Sequence, residues 1–97
     1  MRHALKSLLA LGLLAAALAL PSAAQAAEVG QVCNITNSIE TAVVARYSDG
    51  TGFAEYIHGG DGWRIDAFAG AYYQGHRNGG AEGYIPREWV VQGTCHW

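Results

Sequence analysis

The sequence predicts an all-β domain, a small closed barrel of five to six short antiparallel strands held by one disulfide. Three observations point there. Turn signals recur every few residues, from Asp49-Gly50 through Gly59-Gly60-Asp61-Gly62 to Gly79-Gly80 and Gly83. Between them lie short segments rich in β-branched and aromatic residues, with no sustained helical period. Cys33 and Cys95 stand near the two ends of that region.

The elements follow in order. Arg2 and Lys6 precede an apolar run from Leu8 to Leu20, which Pro21 ends, and Ala24-Gln25-Ala26 fits a small-x-small cleavage site. This reads as a secretory signal peptide, residues 1–26, cut after Ala26. The run is short of the roughly 20 residues that span a bilayer. The domain is then residues 27–97, exported to the periplasm or the medium. There the two cysteines meet an oxidising compartment, and a Cys33–Cys95 disulfide is expected.

Gln31 to Thr36 reads as the first strand. Ala42 to Tyr47 is the second, with Val43, Ala45 and Tyr47 on one face and Val44 and Arg46 on the other. Gly52 to Ile57 is extended. Trp63 to Phe68 alternates, Trp63, Ile65 and Ala67 against Arg64, Asp66 and Phe68. Ala71 to Arg77 and Gly83 to Ile85 form a hairpin around Asn78-Gly79-Gly80. A single helical turn near Arg87-Glu88 precedes the closing segment Trp89-Val90-Val91. Closing such a sheet into a barrel removes its exposed edges.

Charge narrows the partners. Residues 27–97 carry all eight acidic residues against Arg46, Arg64, Arg77 and Arg87, a net charge of −4 with no lysine. Binding to nucleic acid rests on neutralising phosphates, so a nucleic-acid partner is not expected, nor is membrane insertion once the signal is cut. A phosphate-binding loop needs glycines leading into a helix, and no helical pattern follows Gly80. His58, His76 and His96 do not pair at metal-ligand spacing, so no metal or other cofactor is expected. The eight acids read as solvation. No Ser or Thr sits in a nucleophile-elbow context. The chain reads as a binding protein, not an enzyme.

"GYIPREWV", Gly83 to Val90, resembles the C-terminal signature of SH3 domains. The adjacent Tyr72-Tyr73 stand where that family carries paired tryptophans, and Gly75 falls where it keeps a small residue in the barrel wall. The order "VARYSDG…YIHGGDGWRI…YYQGHRNGGAEGYIP" is similar to bacterial SH3 (SH3b) domains, over roughly Ala42 to Val91. Nothing here matches the A-L-Y-D-Y strand of eukaryotic-type SH3 domains, and the bacterial S-G-P is reduced to Ser48-Asp49-Gly50. The resemblance implies an SH3-like barrel whose ligand groove is lined at Tyr72, Pro86 and Trp89. His76 lies at even spacing from Tyr72, so strand alternation puts it near the same face. Tyr47 and Tyr56 are further surface aromatics, because ten aromatics exceed what so small a core can bury. Such rings suit sugars or proline-rich peptides. The resemblance implies recognition of cell-wall peptidoglycan, or of a protein or peptide ligand. An inhibitor or immunity protein of an extracellular hydrolase is the alternative that the acidic surface suggests.

Overall fold

The structure is a computed structural model that describes residues 26–97. The expected signal peptide, residues 1–26, lies outside the described residues except for Ala26. Among the described residues seven strands form: β1 (Val32–Ile35), β2 (Ala42–Val44), β3 (Glu55–Ile57), β4 (Gly62–Ala69), β5 (Tyr72–His76), β6 (Gly83–Pro86) and β7 (Val90–His96). One 3-10 turn, Arg87–Trp89, sits between β6 and β7. No helix of the described residues is long and apolar enough to cross a membrane.

Five strands make one antiparallel sheet in the order β6-β5-β4-β1-β7, and β2 pairs with β3 as a separate hairpin. A single bridge, Ala45 with Tyr84, ties this hairpin to the β6 edge through two reciprocal backbone bonds of 2.9 Å. The sheets do not close into a barrel: among the described residues no ladder joins β7 to β2 or β3. Beyond Val44 the chain turns instead of extending, and the amides of Arg46 and Tyr47 both donate to the Thr51 carbonyl. The second strand therefore ends short of Tyr47. Val44 and Ala45 are both buried, Val44 in the core and Ala45 where β6 bridges to it. The expected alternation of Val43, Ala45 and Tyr47 breaks at that point.

The hairpin still shares the core. Val44 and Ile57 pack with Ile35, Trp63, Ile65, Tyr73, Ile85 and Val90 from the larger sheet. Trp63, Ile65 and Ile85 are fully buried, as period-two alternation on β4 and β6 requires. The β5–β6 connection turns at Asn78-Gly79, closed by Gly80 N–H to the Arg77 carbonyl at 2.8 Å, and Gly79 adopts φ +76°. Strand β6 follows it, so no helix begins at Gly80.

Cys33 on β1 and Cys95 on β7 are joined, with Cα atoms 4.0 Å apart. The β1–β7 register slips between Val32 and Asn34. Thr94 repairs the ladder there: its hydroxyl accepts from Asn34 N–H at 2.8 Å and donates to the Val91 carbonyl. At the other end of β7, Gln92 holds the start of the domain. Its side-chain oxygen accepts from Ala27 N–H at 2.6 Å while its amide donates to the Tyr73 hydroxyl at 3.0 Å.

Candidate functional site

Directly opposed residues of an antiparallel pair share a face. Tyr73 opposes Ile85 across β5 and β6, and both point into the core. Tyr72 opposes Pro86, and Gln74 opposes Tyr84, so these four form the outer face. The resemblance put Tyr72, Pro86 and Trp89 on one groove; the structure makes Tyr72 and Pro86 cross-strand neighbours, while Trp89 packs against the core. The Tyr72 ring is half-buried, because the turn that ends the β2–β3 hairpin lies over it; a Cβ on Gly50 would overlap the Tyr72 hydroxyl. Tyr47 belongs to the same turn and is 55% exposed. Trp89 closes the 3-10 turn, half-buried, with its ring against the core. Its carbonyl accepts from Thr36 N–H at 2.8 Å.

Tyr56 stands apart from this group. It opposes Val43 across the hairpin, is 57% exposed, and meets Phe53 edge-on with centroids 5.0 Å apart. Phe53 was not among the residues expected at a site. With Arg46 it lines one wall of an open cleft of about 420 Å³, whose other wall is Gln74, Glu82 and Tyr84. The cleft thus runs between the hairpin and the outer face of β5–β6, and Tyr72, Pro86 and Trp89 are not among its lining residues.

His76 ends the outer row of β5, and here β4 departs from simple alternation. Arg64 opposes His76 and Ile65 opposes Gly75, but Gln74 is opposed by Ala67. Asp66 is the extra residue of a β-bulge. Past the bulge, Phe68 opposes Tyr73, with ring centroids 5.7 Å apart, so it does not share the Arg64 face as the sequence pattern predicts. The Arg87 guanidinium stacks on both rings, 4.9 Å from Phe68 and 5.0 Å from Tyr73.

The bulge brings Asp66 to His76. His76 Nδ1 lies 2.9 Å from Asp66 Oδ2 in hydrogen-bond geometry, and 3.2 Å from Glu82 Oε1. Partial burial, and then the neighbouring Asp66 carboxylate, push the Glu82 carboxyl above the usual range. Residues read from the sequence as scattered histidine and solvating acids therefore converge, two from adjacent strands and one from the β5–β6 loop. Their donor atoms all lie within 4.8 Å of one another. The spacing i, i+10, i+16 carries no recognisable signal, because the convergence depends on the bulge and the loop.

Comparison of the chain with known family models, with curated proteins and with solved structures finds no match.

Proposed function

We propose that this chain is an exported SH3-like module that acts by binding, and that it recognises a cell-wall peptide or glycan, or a protein segment of similar extended shape. One observation carries the reading: the cleft between the β2–β3 hairpin and the outer face of β5–β6, walled by the Gln74–Tyr84 pair that follows Tyr72–Pro86 in the ladder. It offers ring faces at Phe53 and Tyr84, an amide at Gln74 and charges at Arg46 and Glu82. Ring faces beside a few polar groups suit a sugar or a peptide backbone. The "GYIPREWV" segment supports the SH3-like reading, folding as a strand, a single 3-10 turn and a second strand. The disulfide is compatible with an oxidising, extracytoplasmic setting.

The test is sedimentation of the purified protein with isolated cell-wall sacculi, alongside capture by basic hydrolases. Tyr84→Ala and Tyr72→Ala should each weaken sacculus binding about thirtyfold, the loss typical of an aromatic anchor at about 2 kcal/mol. Trp89→Ala is expected to lower stability as well as binding, since its ring packs on the core. Melting temperature is therefore read beside affinity. If the tyrosine variants fold and bind as before, the cleft is not the site. Capture by basic hydrolases without sacculus binding would favour the inhibitor reading, which rests on the net charge of −4 across residues 27–97.

A further inference from the structure

We propose that Asp66, His76 and Glu82 form a divalent-cation site that takes zinc in preference to calcium or magnesium, at the end of the outer face of β5. This goes beyond ligand capture and does not depend on it.

The geometry of the three donors is that of ligands around one ion. Zinc binds imidazole nitrogen and carboxylate oxygen at about 2.0–2.2 Å, which for tetrahedral angles sets neighbouring ligand atoms about 3.3 Å apart. His76 Nδ1 stands 2.9 Å from Asp66 Oδ2 and 3.2 Å from Glu82 Oε1. The third edge is no longer than 4.8 Å. Glu82 is about half-exposed, so a side-chain rotation can shorten it. An ion between the three keeps an open position toward solvent, as sites with three protein ligands do.

Proton sharing does not explain the arrangement as well. Nδ1 carries at most one hydrogen. That hydrogen serves Asp66 at 2.9 Å, and the Glu82 oxygen, 3.2 Å from the same nitrogen, has to share it. Arginines are close by but engaged elsewhere. Arg64, opposite His76 across β4 and β5, donates to the Gly30 carbonyl at 2.8 Å. Arg77 pairs with Glu55 at 3.1 Å. Among the described residues, His76 is the one basic side chain within ion-pair range of Asp66 or Glu82. Two carboxylates held together with so little opposing charge favour a cation between them. One nitrogen and two carboxylate oxygens suit zinc over the all-oxygen preference of calcium and magnesium.

The experiment is calorimetric titration of the purified protein with zinc chloride, with ring-nitrogen NMR of the histidines. The expected result is one ion per chain and a zinc-induced shift of His76 Nδ1, with Nε2 keeping its proton. Glu82→Gln and His76→Gln should each weaken binding at least about tenfold, the loss seen even for groups that only support a ligand. A His58→Ala variant should bind as the parent does, although His58 lies 3.7 Å from Asp61. Glu82→Gln alters a loop side chain, and its fold is checked by circular dichroism. The NMR reading needs no variant at all. Absence of binding, several weak ions per chain, unchanged His76 ring shifts under saturating zinc, or binding lost in His58→Ala and kept in Glu82→Gln would each overturn the proposal.

Discussion

Reducing the Cys33–Cys95 bond should cost this domain about half of its stability. The bond ties β1 to β7 across a sequence separation of 62 residues. A loop of that length contributes about 4 kcal/mol in the chain-entropy account of disulfides, which acts on the unfolded chain. A core of this size supplies only about 3–5 kcal/mol. The reduced protein is therefore expected to stay folded in plain buffer, with only the core's about 3–5 kcal/mol to hold it. Cys33 is fully buried, so the native bond will resist reductant. The protein should be unfolded in urea, reduced there, and refolded in the presence of reductant. Urea titration followed by tryptophan fluorescence then compares the two forms. With a slope of about 1 kcal/mol per molar, the midpoint should fall by about 4 M. Reduction keeps both sulfur atoms, so the comparison isolates the cross-link from loss of side-chain volume. A reduced form within about 1 kcal/mol of the oxidised one would refute the reasoning. The β1–β7 ladder, with Thr94 bridging its slip, would then be holding the ends together alone.

Two further outcomes are expected. Gly75→Ala should destabilise the domain by about 1–3 kcal/mol, the usual cost of overpacking: the added Cβ would overlap the Arg64 carbonyl and lie 2.9 Å from Trp63 Nε1. Denaturation midpoints measure this, and a loss under about 0.5 kcal/mol would contradict the packing at that point. Asp49 Oδ1 accepts from the Thr51 hydroxyl at 2.6 Å and from the Thr51 N–H at 3.0 Å, which hold its carboxyl below the usual range. A carboxyl lowered by folding favours the native state above its unfolded pKa, and that preference is lost as pH falls through the folded value. Thr51→Val keeps the amide but removes the hydroxyl, so the Asp49 titration followed by carboxyl-carbon NMR should move up; an unmoved midpoint would show that the hydroxyl does not matter.

What could be read from the sequence depended on whether local pattern or distant register decided the outcome. Trp63 and Ile65 alternate with polar neighbours, and both are fully buried on β4. Asn78-Gly79 carries its own turn chemistry, and the turn forms there. The cysteine pairing followed from the compartment and the count. The closed barrel did not follow, because closure is a matter of distant edges meeting: the hairpin reaches β6 through one bridge, and among the described residues no ladder joins it to β7. The cleft was only partly legible. Tyr72 and Pro86 are neighbours as the shared groove of the resemblance implies, but they do not line the cleft, and Phe53 reaches it through the fold of the hairpin, which has no periodic mark.

The Asp66 bulge shows why the side-chain cluster was the least legible part. Unbroken alternation would place Asp66 opposite Gln74, continuing the register that sets Arg64 opposite His76 and Ile65 opposite Gly75. The extra residue gives that place to Ala67, leaving Asp66 unpaired and free to turn to the His76 ring at 2.9 Å. The same slip carries Phe68 to the Tyr73 side, where the two rings and Arg87 stack over the edge of the core. One inserted residue thus exchanges a simple strand for an aromatic cap on one side and a three-donor cluster on the other. Bulges bend a strand and disrupt its ladder locally, and they are common where a side chain must be re-aimed. On β4 the disruption falls where both consequences use it, so the register of this strand and the chemistry of the outer face are one structural fact.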